Sequence, residues 1–156
     1  SKQQLRTYLF KKLIKKKQNI TSKKEIFNLI DVVITNLVDQ KLLSDKYYSD
    51  VKSKAFLRKG YSLNKIRYNL IKKGIDQKYI KDSISKIKEN ESDPDFFSAI
   101  KMCKRRRIGP IREEANRTIF FKKDISILAR SGFSYEISKK ILDMPKEEFK
   151  KFLKMI

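Results

Sequence analysis

An all-α fold is what this sequence predicts, and three observations predict it. Only four glycines and three prolines occur in 156 residues, too few for the turn at roughly every 8–12 residues that an all-β chain needs. Apolar residues recur at helical spacing in nearly every segment. The punctuation between segments is helix-cap chemistry: Ser or Asp before a stripe, Gly after one. At 40 % apolar and 11 % aromatic residues, the chain has the material for a core despite 37 % charged side chains.

Residues 1–17 set Leu5, Tyr8, Leu9, Leu13 and Ile14 on one stripe, with Lys11, Lys12, Lys15, Lys16 and Lys17 largely off it. A second helix starts at Thr21 or Ser22, where Ser22 and Glu25 have capping-box spacing, and Ile26, Phe27, Leu29 and Ile30 supply its core face. A third segment carries Val33, Ile34, Leu37 and Val38, with a break placed near Asp31. Ser44-Asp45 caps a helix with Tyr48, Val51, Ala55 and Phe56 inward, ended by Gly60. Ser62 caps the next, Tyr61 and Ile66 stapling it, with Leu63, Leu70 and Ile71 on its stripe and Gly74 stopping it. Asp76 caps another, in which Ile75 staples onto Ile80, and Ile84 and Ile87 continue inward.

The polar stretch KENESDPD then leads to Pro94, which suits the first helical position behind an Asp93 cap. Phe96 or Phe97 and Ile100 face inward before Lys104-Arg105-Arg106-Arg107, and Gly109-Pro110 breaks the helix. A helix over 112–131 has Ala115, Ile119, Phe121, Ile125 and Leu128 as buried positions and ends at Gly132. Ser134 caps a helix with Ile137, Ile141 and Leu142. Pro145 opens the last, with Glu147 and Glu148 at its positive end and Phe149, Phe152 and Leu153 packing back.

Internal matches indicate repetition. Arg58-Lys59-Gly60-Tyr61-Ser62 is echoed by Arg130-Ser131-Gly132-Phe133-Ser134, and Ser44 to Ser49 by Ser92 to Ser98. Phe27-Asn28-Leu29-Ile30 is echoed by Tyr68-Asn69-Leu70-Ile71. Three helical units follow, over 1–43, 44–91 and 92–156, the third carrying a basic extension around 104–117.

Composition also excludes functions. The chain has no histidine and a single cysteine, Cys103, so His-dependent nucleophilic catalysis, His-ligated zinc and an internal disulfide are out. No Gly-rich phosphate loop occurs. No apolar run is long enough for a membrane span, and the start lacks a secretory pattern. Asp93 with Asp95, and Glu113 with Glu114, are better read as helix starts than as metal ligands. The expectation is no catalytic residue, no cofactor and no metal. The formal charge of +21 calls for a polyanionic partner: nucleic acid, an acidic protein surface or, ranked last, an anionic membrane.

The densest cationic group is Lys104, Arg105, Arg106, Arg107, Arg112 and Arg117. Four consecutive basic residues span about 400° of helix, so some must point away from any core. Arg also forks phosphate and carboxylate in a way Lys does not. Lys11, Lys12, Lys15, Lys16, Lys59, Lys65, Lys72 and Lys73 are additional candidates. Arg58 and Arg130, each just before a capping Gly, are read as helix-end cations. Tyr47, Tyr48, Tyr61, Phe96, Phe97 and Phe133 are read as buried rather than as base-stacking platforms.

The order of motifs carries a resemblance. L-x-D-x-x-Y at Leu43 to Tyr48 is followed by R-x-G-Y-S at Arg58 to Ser62 and KKGID at Lys72 to Asp76. R-R-R-I-G-P at Arg105 to Pro110 and L-A-R-S-G-F-S at Leu128 to Ser134 complete the series. The chain resembles the RecX family of bacterial regulators of the RecA recombinase over nearly its whole length. That resemblance implies tandem three-helix repeats in an elongated, curved array. It implies a cytoplasmic, monomeric protein that is not an enzyme and takes no small-molecule substrate. Its implied partners are the RecA filament and single-stranded, or double-stranded, DNA. Its implied action is to block filament extension, ATPase, strand exchange and coprotease activity, within homologous recombination, DNA repair and the SOS response. The alternative is a basic helical protein that only binds nucleic acid.

Overall fold

The computed structural model describes residues 1–16 and 22–156, apart from the side chain of Lys16. The expected helix start at Thr21, Lys17 and the side chain of Lys16 lie outside the described residues. Among those residues there are only helices: α1 (Lys2–Lys16), α2 (Lys23–Asp39), α3 (Asp45–Arg58), α4 (Leu63–Lys72) and α5 (Gln77–Asn90). Then come α6 (Pro94–Arg106), a 3-10 turn (Gly109–Ile111), α7 (Glu114–Arg130), α8 (Tyr135–Leu142) and α9 (Lys146–Leu153).

Caps lie where the sequence puts them. The side chains of Ser22, Ser44, Ser62, Asp76, Asp93 and Ser134 each accept a backbone N–H from the first turn of the helix they open. Such bonds satisfy donors that a helix start otherwise leaves unpaired.

Apolar packing falls into three clusters. Ile26, Ile30 and Ile34 of α2 pack with Leu5, Leu9, Phe10 and Leu13 of α1. Leu63, Ile66, Leu70, Ile75, Ile80, Ile84 and Ile87 form a second, joined by Tyr48, Phe56 and Tyr61. The third draws on α6 to α9, from Phe96 and Ile100 to Leu128, Ile141 and Phe149. Helices thus contribute unequally: two to the first cluster, three to the second, four to the third.

Several expectations change. There is no break near Asp31: α2 is continuous from Lys23 to Asp39. Asp31 instead receives two hydrogen bonds from Arg6 of α1, at 2.6 and 2.7 Å. Leu29 and Val33, expected in the core, are exposed at 66 % and 48 %, because α1 covers only the Ile26–Ile30–Ile34 face. Tyr8, Val51 and Ile71 are exposed as well. On α7, Ala115 and Ile119 face solvent, while the buried side holds Asp124 and Leu128.

The clusters meet at two joints built from the same bonds. At the first, the Ser1 hydroxyl donates to the carbonyl of Lys73, the residue ending α4, at 2.6 Å. The N–H of Lys2, which opens α1, donates to Asp45 at the start of α3, at 2.9 Å. At the second, the Ser62 hydroxyl donates to the carbonyl of Ser131, the residue ending α7, at 2.7 Å. The N–H of Leu63, which opens α4, donates to Asp95 near the start of α6, at 2.7 Å.

Each joint seats a helix start on a glycine turn. A Cβ on Gly74 would lie 2.5 Å from Gln3, and one on Gly132 would lie 2.6 Å from the Ser62 hydroxyl. Both glycines have positive φ, which an added side chain would strain. In this geometry the counterpart of the Gly132 turn is the Gly74 turn. Gly60, its sequence match, packs instead against Lys101 and Ser98 in α6.

Burial raises the Asp95 carboxyl above the ordinary value, against the lowering effect of the Leu63 N–H. The folded chain therefore holds this proton more tightly than the unfolded chain does. Asp95 then opposes folding at neutral pH, and that opposition fades as pH falls through its raised value toward the ordinary carboxylate range. Asp95→Asn keeps an acceptor for Leu63 without the charge. Paired denaturant melts should show its stability relative to wild type greatest at neutral pH and shrinking on acidification. A difference that stays flat across that window contradicts this assignment.

Candidate binding surface

The six residues of the basic cluster do not act as one group. Lys104, Arg105, Arg106 and Arg107 lie at the exposed end of α6. Arg107 caps it in the left-handed region, at φ 54°. Arg105 turns back: one of its guanidinium nitrogens donates to the Lys59 carbonyl at the end of α3, at 2.6 Å. Lys104, Arg106 and Arg107 make no side-chain hydrogen bond or ion pair with the other described residues.

Arg112 and Arg117 serve the interior. Arg112 forks the carboxylate of Asp124 with bonds of 2.7 and 2.8 Å. Asp124 is 1 % exposed and also accepts the N–H of Gly109 at 2.9 Å. The hydrogen bonds that Arg112 donates to Asp124 push the Arg112 pKa up, against the opposing effect of burial. Arg117 donates to the carbonyls of Leu142 and Met144, at 2.9 and 2.8 Å, and pairs with Glu114. Both arginines hold α7 to its surroundings, and neither presents its fork to solvent.

Gly109-Pro110, which ends α6 as expected, packs into the body. Both residues are buried, and a Cβ on Gly109 would lie 2.5 Å from a Leu142 methyl. Asp124 was missed in the sequence because a charge on a stripe suggests the solvent side. Its spacing from Phe121 and Leu128 was the available signal, since all three share one helical face.

The remaining candidates spread over other faces. Lys11, Lys12 and Lys15 are exposed on α1; Lys59 and Lys72 are exposed, and Lys65 and Lys73 are half-buried. Lys11, Lys72 and Lys73 line one open cleft with Gln3, Thr7 and Tyr8, so the first joint brings cations of α1 and α4 together. Among the aromatics, Phe96 and Phe133 are buried, and Tyr48, Tyr61 and Phe97 half-buried. Tyr47 is 72 % exposed, against expectation.

Three of the four paired acids have structural partners, while Glu113, at the start of α7, makes no side-chain cap bond. Asp93 caps α6, Asp95 takes the Leu63 N–H, and Glu114 pairs with Arg117. No group of three or more metal-ligating side chains occurs among the described residues. Burial, with the charge of Asp124, pushes the Cys103 thiol up to about 12, far from a reactive thiolate. No described helix is long and apolar enough to cross a membrane.

Among the described residues, helices held by internal ion pairs and repeated joints, with unpaired cations on their outer faces, define the class: a basic all-helical protein. Three curated proteins similar to the chain share one name, Regulatory protein RecX. That of Myxococcus xanthus is 29 % identical over 119 residues, covering 73 % of this chain and 60 % of its own length. That of Clostridium perfringens is 26 % identical, covering 88 % of this chain and 62 % of its own length. That of Agrobacterium fabrum is 25 % identical, covering 95 % and 77 %. The chain thus spans about three fifths of the length of the first two. The chain is similar to three proteins that share the RecX name. No family model matches the chain, and no solved structure matches it.

Proposed function

We propose that the chain regulates a RecA recombinase by binding the RecA–single-stranded DNA filament. The observation that carries this reading is its similarity, over most of its length, to three proteins named Regulatory protein RecX. The charge of +21 suits a filament that carries a nucleic-acid backbone. In this reading the chain is no enzyme, needs no cofactor, and works as a cytoplasmic monomer. It blocks filament extension and lowers ATPase, strand exchange and coprotease activity.

The same reading takes the chain as three helical units, 1–43, 44–91 and 92–156, in an elongated, curved array. The separate apolar clusters and the two matching joints support that division. The contact surface includes Lys104, Arg106 and Arg107, the members of the basic cluster left without internal partners.

Changing Lys104, Arg106 and Arg107 to Ala should cost under about 1 kcal/mol of stability, as for exposed sites. Capture of RecA filaments should fall strongly. Pull-down on RecA-coated strands, with naked single strands as the control, checks both halves. Capture of the two baits that falls in parallel favours the alternative, a protein that only binds nucleic acid. Unchanged capture removes the cluster from the contact surface.

A further inference from the structure

The two joints impose a register on the helices that meet there. Ser1, Gln3, Leu5, Leu9 and Lys11 of α1 correspond to Ser62, Asn64, Ile66, Leu70 and Lys72 of α4. Leu70, Lys72, Lys73 and Gly74 correspond in turn to Leu128, Arg130, Ser131 and Gly132 of α7. Lys11, Lys72 and Arg130 therefore hold one equivalent position, each two residues after a leucine that packs inward.

All three are exposed, and none makes an ion pair or side-chain hydrogen bond with the other described residues. Lys11 and Lys72 line the same cleft. The second joint, made with the same bonds, gives Arg130 the relation to Lys72 that Lys72 has to Lys11.

A helix-end role explains only part of this. Lys72 and Arg130 stand in the last turns of α4 and α7, where a cation favours the helix dipole. Lys11 sits more than a turn before the end of α1, so the dipole gives no reason for a cation there. What the three share is their place relative to the joints.

We propose that Lys11, Lys72 and Arg130 form a row of phosphate contacts for one strand of nucleic acid running across α1, α4 and α7. A row of single cations at repeated spacing matches a linear polyanion with regular charges, and reads no sequence. Tyr8, 57 % exposed in the same cleft, offers an aromatic face on which a base can stack. The proposal adds Arg130 and a direction to the nucleic-acid side of the function proposed above, and it does not require RecA.

The test is the salt dependence of binding to an oligothymidylate strand long enough to reach all three cations. Each of Lys11→Gln, Lys72→Gln and Arg130→Gln should lower the slope of log affinity against log salt by about 0.7, and the triple variant by about 2. Lys24→Gln, Lys88→Gln and Lys154→Gln together remove the same charge at exposed positions off the row. That control should leave the slope nearly unchanged, and circular dichroism checks that both triples are folded. A dithymidylate, too short to span the row, should register at most one lost contact.

Equal slopes for the row and control triples overturn the proposal, since net charge alone would then account for binding. So does wild-type protein that binds RecA filaments but no naked strand, an outcome that leaves the filament reading intact. A row-dependent slope in a protein without effect on RecA supports the row and removes the filament reading.

Discussion

Arg112→Ala is expected to destabilise the protein by about 3–5 kcal/mol, the cost of leaving a buried charge without its partner. Asp124 is 1 % exposed and takes two of its three hydrogen bonds from Arg112. Without the guanidinium, the carboxylate keeps only the Gly109 N–H, and the seam between α7 and the Gly109–Ile111 turn loosens. Replacing both partners by apolar residues of similar size, Arg112→Met with Asp124→Leu, should recover part of the loss, because no charge is then stranded. Denaturant melts of the three chains check this. A single-variant loss under about 1 kcal/mol would return Arg112 to the list of contact residues.

Ile66→Ala is the second large expected effect, at about 2–5 kcal/mol, from lost burial and the cavity left behind. Ile66 has no exposed surface and lies among Leu63, Leu70, Ile80 and Ile84, with Tyr61 stacked on Phe56 at 5.3 Å alongside. Its helix has ten residues, so little local stability remains once this contact is gone. A loss below about 0.5 kcal/mol would mean that the α4 stripe does not face α3 and α5.

What the sequence made legible was local. Ser22, Ser44, Ser62, Asp76, Asp93 and Ser134 announce their helices because a cap bonds within its own first turn. Ile66, Ile80 and Ile84 announce a core because their spacing is set by one helix. Pairing across the chain was not legible. Asp31 looked like a break because nothing nearby shows that Arg6 meets it. Arg112 and Arg117 looked like contact residues because Asp124 and the carbonyls of Leu142 and Met144 reach them only through the fold.

The register set by the joints was hidden for the same reason. The Gly60, Gly74 and Gly132 turns have the same local bonds: the N–H after each glycine closes onto a carbonyl five residues back, in Phe56, Leu70 and Leu128. Only the fold separates them, since α1 and α4 seat their first turns on Gly74 and Gly132, while Gly60 meets the middle of α6. The echo of Gly60 by Gly132 is a local likeness, and the proposed row of Lys11, Lys72 and Arg130 shows only through the joints.

The proposed function turns on RecA. The most direct measurement is the single-strand-dependent ATPase rate of RecA filaments as this protein is added, at strand concentrations that keep naked DNA scarce. The account predicts a rate that falls as the protein is added and recovers when Lys104, Arg106 and Arg107 are changed to Ala. A rate that stays constant, at amounts of protein that saturate a naked strand, would contradict it and leave a protein that only binds nucleic acid.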